Sequence, residues 1–326
     1  MNNSGSHDSA SAPVRVLFIG GCGRSGSTLL DRMLGELPGF VSTGEVRFIW
    51  QRGLVENRLC GCGEPFRECP FWRSVGEEAF GGWDALDAND LVALDHSINR
   101  HRYIPLLVAP RLSRAFETRL ARYVEILSRL YAAIDRVSGG ACIVDSTKDP
   151  PFAFLLRRVP TIDLRIVHLV RDSRGVAFSW TKQVRRPEDV DVARFMHTYH
   201  PVEMGFRWLV YNACFHLLGR LHVPRLMTRY EEVVASPRRE IERMAALAGE
   251  EVDKAGFDFL NGRQVELGVH HTISGNPMRF QRGAIELALD EEWRSRLSPA
   301  NRRMVSLFTF PLLVRYGYLG PARPRQ

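Results

Sequence analysis

Four short apolar runs stand out along the chain: Val14–Gly20 (VRVLFIG), Ala141–Asp145 (ACIVD), Leu164–Val170 (LRIVHLV) and Pro224–Arg229 (PRLMTR). Short runs with little polar alternation predict strands buried on both faces, the pattern of a parallel sheet. Helical spacing follows each run. The long stretch between the first two looks mainly helical. In it Leu120, Val124, Leu127, Tyr131 and Ile134 recur every three to four residues, giving one apolar face that packs a core. Residues 203–222 and 299–315 carry two further helical patterns. Strands alternating with helices predict an α/β chain, a P-loop-like three-layer fold with a central parallel sheet flanked by helices. A single domain over residues 14–320, with a mainly helical insertion at about 50–140, follows a disordered tail of residues 1–13 in this reading. Ligands of such sheets bind outside the carboxyl ends of the strands. The loops after Gly20, Asp145, Val170 and Arg229 are therefore expected to build the site.

Composition narrows the class. The 326 residues are 45% hydrophobic and 25% charged, an ordinary globular balance that argues against a disordered chain, a collagen or a disulfide scaffold. No apolar run approaches the ~18 residues that cross a bilayer. The polar N-terminus lacks a basic start followed by an apolar stretch, so no secretory signal is read and a cytoplasmic protein is expected. Lys+Arg exceed Asp+Glu by 44 to 37, and all but three of the basic residues (Lys148, Lys182, Lys254) are arginine. This modest excess suits an anionic ligand but is too diffuse for a nucleic-acid footprint, and no nucleic-acid partner is expected. Homo-oligomerisation stays open.

Of the six cysteines, Cys22 and Cys142 sit inside apolar runs and read as small core residues. Cys60, Cys62 and Cys69, in LCGCGEPFRECPFW, are denser than chance. Reduced structural thiols, a local disulfide and a metal site all remain open. A metal site normally needs four ligands, and neither a Cys-x-x-Cys nor a paired histidine lies nearby, so no metal is expected.

The loop after the first strand is Gly20-Gly21-Cys22-Gly23-Arg24-Ser25-Gly26-Ser27-Thr28, opening a helix with Leu29, Leu30, Met33 and Leu34 as apolar positions. Glycines allow a tight turn that aims successive N–H groups at an anion, and the helix N-terminus adds partial positive charge. Against G-x-x-x-x-G-K-[ST], Gly21, Gly26 and Thr28 fit, while Ser27 stands where an NTPase has lysine and the positive charge has moved to Arg24. A nucleoside triphosphatase uses that lysine and magnesium against the β- and γ-phosphates. A donor with less charge needs less, and a phosphosulfate held by Arg24, Ser27 and Thr28 fits the loop.

FIGGCGRSGSTLL resembles the 5′-phosphosulfate loop of the sulfotransferase superfamily, enzymes that use 3′-phosphoadenylyl sulfate (PAPS), in the arginine form of bacterial members and tyrosylprotein sulfotransferases. The resemblance implies that Gly23, Arg24, Ser25, Gly26, Ser27 and Thr28 bind the donor. It implies that Arg171 and Ser179, eight residues apart in LVRDSRGVAFSW, bind the 3′-phosphate. Arg282 and Gly283, in Phe280-Gln281-Arg282-Gly283, resemble the segment that closes over that phosphate, with Arg279 an equal candidate. Tyr230, in Thr228-Arg229-Tyr230-Glu231-Glu232, is placed by the adenine, against the reading of a core aromatic that ends a strand. Glu45, 21 residues after Arg24 in Ser42-Thr43-Gly44-Glu45-Val46-Arg47, stands where tyrosylprotein sulfotransferases carry their general base. Only one residue separates it from Arg47, which leaves the role of that arginine open. A carboxylate within hydrogen-bond reach can take the proton of an attacking hydroxyl. His96, His101, His197, His200, His270 and His271 lack a matching motif, and His96 or His101 stands next in line as base. Lys148, in Asp145-Ser146-Thr147-Lys148-Asp149-Pro150, resembles a lysine that touches the sulfuryl or bridging oxygens. The competing reading makes Asp145 a Walker-B carboxylate. The expected activity is metal-free transfer of a sulfuryl group from PAPS to a hydroxyl of a small molecule or other acceptor. A P-loop kinase is the alternative enzyme, and a non-catalytic anion-binding module the third reading.

Overall fold

The computed structural model describes residues 12–185 and 195–319. The tail expected at residues 1–13 lies outside the described residues apart from Ala12 and Pro13. Five parallel strands form the central sheet: β1 (Val14–Gly21), β2 (Phe40–Gly44), β3 (Cys142–Lys148), β4 (Ile162–Val170) and β5 (Arg225–Arg229), in the order β2-β3-β1-β4-β5. The four expected strands are present, and the α/β class is as expected. Alternation along β1 explains why its run is apolar throughout. Val16 and Phe18 enter one core, Leu17 and Ile19 the other, and all are buried.

β2 is a strand the hydrophobic pattern conceals. Its buried inner positions are Ser42 and Thr43, and Thr43 Oγ1 donates to the Val144 carbonyl at 2.8 Å. A hydroxyl that bonds the neighbouring strand is buried without cost to the ladder. Its edge position brings Gly44 opposite Asp145 of β3, which puts Glu45 at the rim of the sheet. A second, antiparallel sheet of Leu260–Asn261, Gln264–Leu267 and Gly283–Glu286 was also not legible.

Helices cover both faces. Helix α1 (Ser27–Gly35) follows β1 and packs against β2 and β3. The stretch between β2 and β3 holds, among other turns, a π-helix at Ile49–Val55 and the helices α2 (Pro70–Phe80), α3 (Ala88–Ile98), α4 (Ile104–Val108) and α5 (Arg114–Val137). The stripe expected on α5 is its inner face: Leu120, Leu127, Tyr131 and Ile134 are buried, joined by Tyr123, while Val124 is half-buried. After β3 come α6 (Pro150–Leu156), then α7 (Ser173–Ser179), α8 (Pro201–Arg220), α9 (Tyr230–Ala235), α10 (Pro237–Ala248), α11 (Trp293–Arg296) and α12 (Pro299–Arg315). α7, α8 and α12 share a smaller core around Trp208, Val305 and Leu313. No helix among the described residues is long and apolar enough to cross a membrane.

Gly20 shows how closely α8 is seated against the end of β1. A Cβ there would lie 2.3 Å from the ring of Phe215. Gly20→Ala should therefore lower stability by about 1–3 kcal/mol through overpacking, read as a lower urea midpoint at unchanged slope. In a Phe215→Leu background the same change should cost clearly less. Equal costs in both backgrounds would show that the ring is not what excludes the methyl.

Candidate active site

All five strands of the sheet end at one cavity of about 560 Å³. At the end of β1, Gly23, Arg24, Gly26, Ser27 and Thr28 line it. Gly26 has φ 87°, and a Cβ on it would stand 2.6 Å from the Tyr230 ring, so both backbone and space demand glycine there. Arg24 adopts φ 70° as a non-glycine residue, a conformation that costs about 1–3 kcal/mol and that clusters at functional sites. Its guanidinium carbon lies 5.2 Å over the Trp180 ring, and Nη2 meets Met196 Sδ at 3.3 Å. Burial, then the charge of Arg171, lowers its pKa from the usual arginine value. The buried Arg24 Nε and Ser25 Oγ have no hydrogen-bond partner among the described residues. Buried polar atoms are normally satisfied, so these two stand out in the loop.

Glu45 follows β2 and is 8% exposed. Lys148 Nζ contacts its Oε1, while Ser274 Oγ donates to Oε2 at 3.1 Å and Arg52 Nη1 lies 3.4 Å from Oε2. Burial pushes the carboxyl up, but the charges of Lys148 and Arg52 and the hydrogen bonds of Lys148 and Ser274 outweigh it. Glu45 is thereby held below the usual carboxylate range and is ionised at neutral pH. Lys148 ends β3 at φ 68°, again left-handed, and also donates to the Ser146 carbonyl at 2.8 Å. Arg47 turns away from Glu45. It pairs with Asp149 and donates from Nη2 to the Asn99 carbonyl at 3.0 Å. It thus anchors the loop that carries Lys148.

At the end of β4, Arg171 donates from Nη1 to the Arg24 carbonyl at 3.0 Å and sits 4.7 Å over the Tyr230 ring. Its Nη2 reaches the Asp290 carbonyl oxygen at 2.8 Å and the Asp290 carboxylate at 3.2 Å. Lys182 Nζ is 3.3 Å from the same carboxylate. Ser179, on the last turn of α7, and Tyr230, just after β5, line the cavity beside them. Tyr230 also donates to the Ala288 carbonyl at 3.1 Å. At this end of the cavity Arg171 is paired with the Asp290 carboxylate, which Lys182 also approaches.

Several sequence candidates are not brought to this cavity. Arg279 is 2% exposed, and its Nη1 and Nη2 donate to the carbonyls of Thr272 and Leu59 at 2.7 and 2.8 Å. Arg282 donates to the Cys62 carbonyl at 2.8 Å, and Gly283 opens a strand of the small sheet. None of these three residues lines the cavity, whereas the preceding turn at Gly275–Pro277 does. His96 is exposed and His101 packs on Tyr211, 4.8 Å between centroids, and neither lines the cavity, whereas His197 does. Asp145 is fully buried and accepts from Tyr131 Oη at 2.6 Å and the Thr147 N–H at 2.9 Å, a poor position for a Walker-B carboxylate. Sequence reasoning missed Arg52, Ser274, Trp180 and Asp290. Arg52 lies in the π-helix Ile49–Val55, for which no expectation was drawn from the sequence, and Ser274 and Asp290 come from distant segments.

The ionisation of Glu45 is a balance that one substitution should tip. Lys148→Met removes the nearest cation while burial stays. The carboxyl should then titrate at higher pH than in the wild type, followed by carbon-13 NMR of the Glu45 carboxyl. An unchanged titration would mean that Lys148 does not set the charge state.

Comparison with known proteins was made on both sequence and structure. Residues 16–254 match the sulfotransferase family. No curated protein sequence matches the chain. Its fold is similar to the sulfotransferase domain of the Synechococcus PCC 7002 olefin synthase, with TM-score 0.54 and 23% identity over 95% of this chain and 97% of that one. It is also similar to the sulfotransferase domain from the curacin biosynthetic pathway, with TM-score 0.50 and 17% identity over 92% and 99%. With nearly three-quarters of its length matched by one family, and the glycine loop after β1 inside the matched region, the chain belongs to the sulfotransferase family and is a sulfotransferase.

Proposed function

We propose that the protein transfers the sulfuryl group of PAPS to a hydroxyl of a small, ring-bearing or otherwise apolar acceptor. The observation that carries this reading is the cavity itself, which is lined by the glycine loop with Arg24, by a buried ionised carboxylate with its lysine, and by Arg171. The loop residues Gly23 to Thr28 would take the 5′-phosphosulfate. Arg171, with Ser179 and Lys182, would take the 3′-phosphate, and Tyr230 would pack by the adenine. Asp290 has to yield Arg171 to that phosphate, so donor binding exchanges an internal carboxylate for an external anion. Phe48, Trp180, Tyr199, Met204 and Tyr211 line the remaining wall and suit an apolar acceptor.

In this mechanism the acceptor oxygen attacks sulfur in line, the bond from sulfur to the 5′-phosphate oxygen breaks, and its electron pair leaves on that oxygen. The acceptor proton passes to Glu45. The products are a sulfate ester and 3′,5′-adenosine bisphosphate. Arg24, Lys148 and the loop N–H groups stabilise charge on the sulfuryl and leaving oxygens. Lys148 couples the two halves. As it turns from Glu45 toward the donor, burial acts on the carboxylate with less opposition and makes it a better base.

Glu45→Gln keeps the shape and removes the basicity. It should lower turnover by roughly 100- to 10,000-fold while the bisphosphate still binds, with a simple phenol as first acceptor. A variant within a few-fold of wild type on a true acceptor would remove Glu45 as base and bring His197 forward. The acid limb of wild-type kcat/KM reports the free enzyme, where Glu45 is held low. It should therefore lie below the usual glutamate value of about 4.3, and the limb of kcat should lie at higher pH. Coincident limbs would exclude the lysine exchange.

Donor binding has its own test. The bisphosphate should raise the melting temperature well above the shift from ATP, since only the former supplies a 3′-phosphate to Arg171. Arg171→Ala should weaken bisphosphate binding by about 1.5–3 kcal/mol, the range for a charge-assisted hydrogen bond, at unchanged far-ultraviolet dichroism. An ATP shift as large as that of the bisphosphate, or unchanged affinity in calorimetry, would overturn the 3′-phosphate assignment.

A further inference from the structure

Away from the cavity, four side chains converge that the sulfotransferase reading does not use. Cys62 Sγ and Cys69 Sγ are 3.7 Å apart, and His271 Nδ1 lies 3.2 Å from Cys69 Sγ and 3.9 Å from Cys60 Sγ. All four ligand atoms fall within 4.8 Å of one another. Zinc–sulfur bonds of about 2.3 Å and zinc–nitrogen bonds of about 2.0–2.1 Å in a tetrahedron imply edges of about 3.8 Å between sulfurs and about 3.6 Å between sulfur and nitrogen. We propose that Cys60, Cys62, Cys69 and His271 form a structural zinc site of the Cys₃His type.

The surroundings are built to aim these atoms. Cys60 and Cys62 flank a tight turn in which the Gly63 N–H donates to the Cys60 carbonyl at 2.9 Å, with Gly63 at φ 103°. Cys69 caps the N-terminus of α2 without using its side chain in the cap, and helix N-termini favour a thiolate. The His271 ring stacks on Phe71, 5.1 Å between centroids and 10° between planes, while the His271 carbonyl accepts from Trp72 Nε1 at 2.8 Å. The Gly61 N–H donates to the Thr272 carbonyl at 2.9 Å. Arg279 and Arg282 acquire a role here, since they hold the Leu59, Thr272 and Cys62 carbonyls around the cluster. Cys60 and Cys69 are fully buried. Four protein ligands leave no open position, which is the mark of a structural zinc rather than a catalytic one. A disulfide would join two of the thiols at about 2.05 Å and would leave the histidine without a reason to be aimed at them.

The site would tie the loop after the π-helix to the segment His270–Ser274. Within that segment the Ile273 N–H donates to the Thr43 carbonyl at 3.0 Å and Ser274 bonds Glu45. The metal would thus fix, through a short span of chain, one of the groups that keeps Glu45 in place.

Purified under reducing conditions without added chelator, the full chain should contain about one zinc per molecule by plasma mass spectrometry. Cys62→Ser and His271→Ala should lose most of it, and Cys214→Ser should retain it. Cobalt(II) loaded in place of zinc should give intense thiolate charge-transfer and tetrahedral d–d absorption. If the variants fail to fold, the zinc ratio and cobalt spectrum of the wild type decide alone. Wild-type protein in which Cys60, Cys62 and Cys69 are reduced, yet with negligible zinc and no tetrahedral cobalt bands, would overturn the proposal. So would a disulfide among these cysteines in non-reducing mass spectrometry of the freshly isolated chain.

Discussion

A buried carboxylate cannot stay ionised alone, and the architecture around Glu45 follows from that constraint. Taking a charge out of water costs several kcal/mol unless it is paired and hydrogen-bonded, and removing one partner of a buried pair costs about 3–5 kcal/mol. Lys148, Arg52 and Ser274 meet the requirement from three separate segments. Each is held in turn. Arg47 and Asp149 brace the loop of Lys148, the π-helix presents Arg52, and the hydrogen bond of the Ile273 N–H to the Thr43 carbonyl positions Ser274. The supporting network is larger than the group it supports because charge in a low-dielectric interior admits little positional error.

Strain accompanies this arrangement. Arg24 and Lys148 are two of only four non-glycine residues with positive φ among those described. Both stand at strand ends, where the backbone leaves the ladder and has to turn a cationic side chain into the cavity. The parallel sheet makes that concentration possible. Every strand points the same way, so five carboxyl ends open on one rim, and a residue at each end reaches a common centre.

Internal contacts now satisfy much of the cavity's charge. Asp290 neutralises Arg171 and Lys182, and Lys148 neutralises Glu45. An anionic donor in this cavity competes with carboxylates rather than with water alone. Its gain is the difference between two sets of ion pairs, which favours discrimination between anions over sheer affinity.

The hydrophobic pattern was enough to determine four strands, the inner face of α5 and the loops that would carry chemistry, because burial on both faces of a sheet leaves an unbroken apolar run. Gly23, Arg24 and Gly26 of the first loop, Glu45, Lys148, Arg171, Ser179 and Tyr230 could likewise be named from local motifs, and all of them line the cavity, most at a strand end and Ser179 at the end of α7. What depended on distant chain was not legible. β2 is hidden because the polar residues Ser42 and Thr43 fill its buried positions, the Thr43 hydroxyl bonding the neighbouring strand. Arg279 looked like a phosphate ligand, yet two backbone carbonyls claim its guanidinium. Arg52 enters the site from a π-helix that no local signal announces. His271 reaches the three cysteines from about two hundred residues away, so spacing near them could not count a fourth ligand. Local sequence sets which backbone forms and which side chains stand at its ends. Only the folded chain decides which charges meet, because that depends on which segments burial forces together.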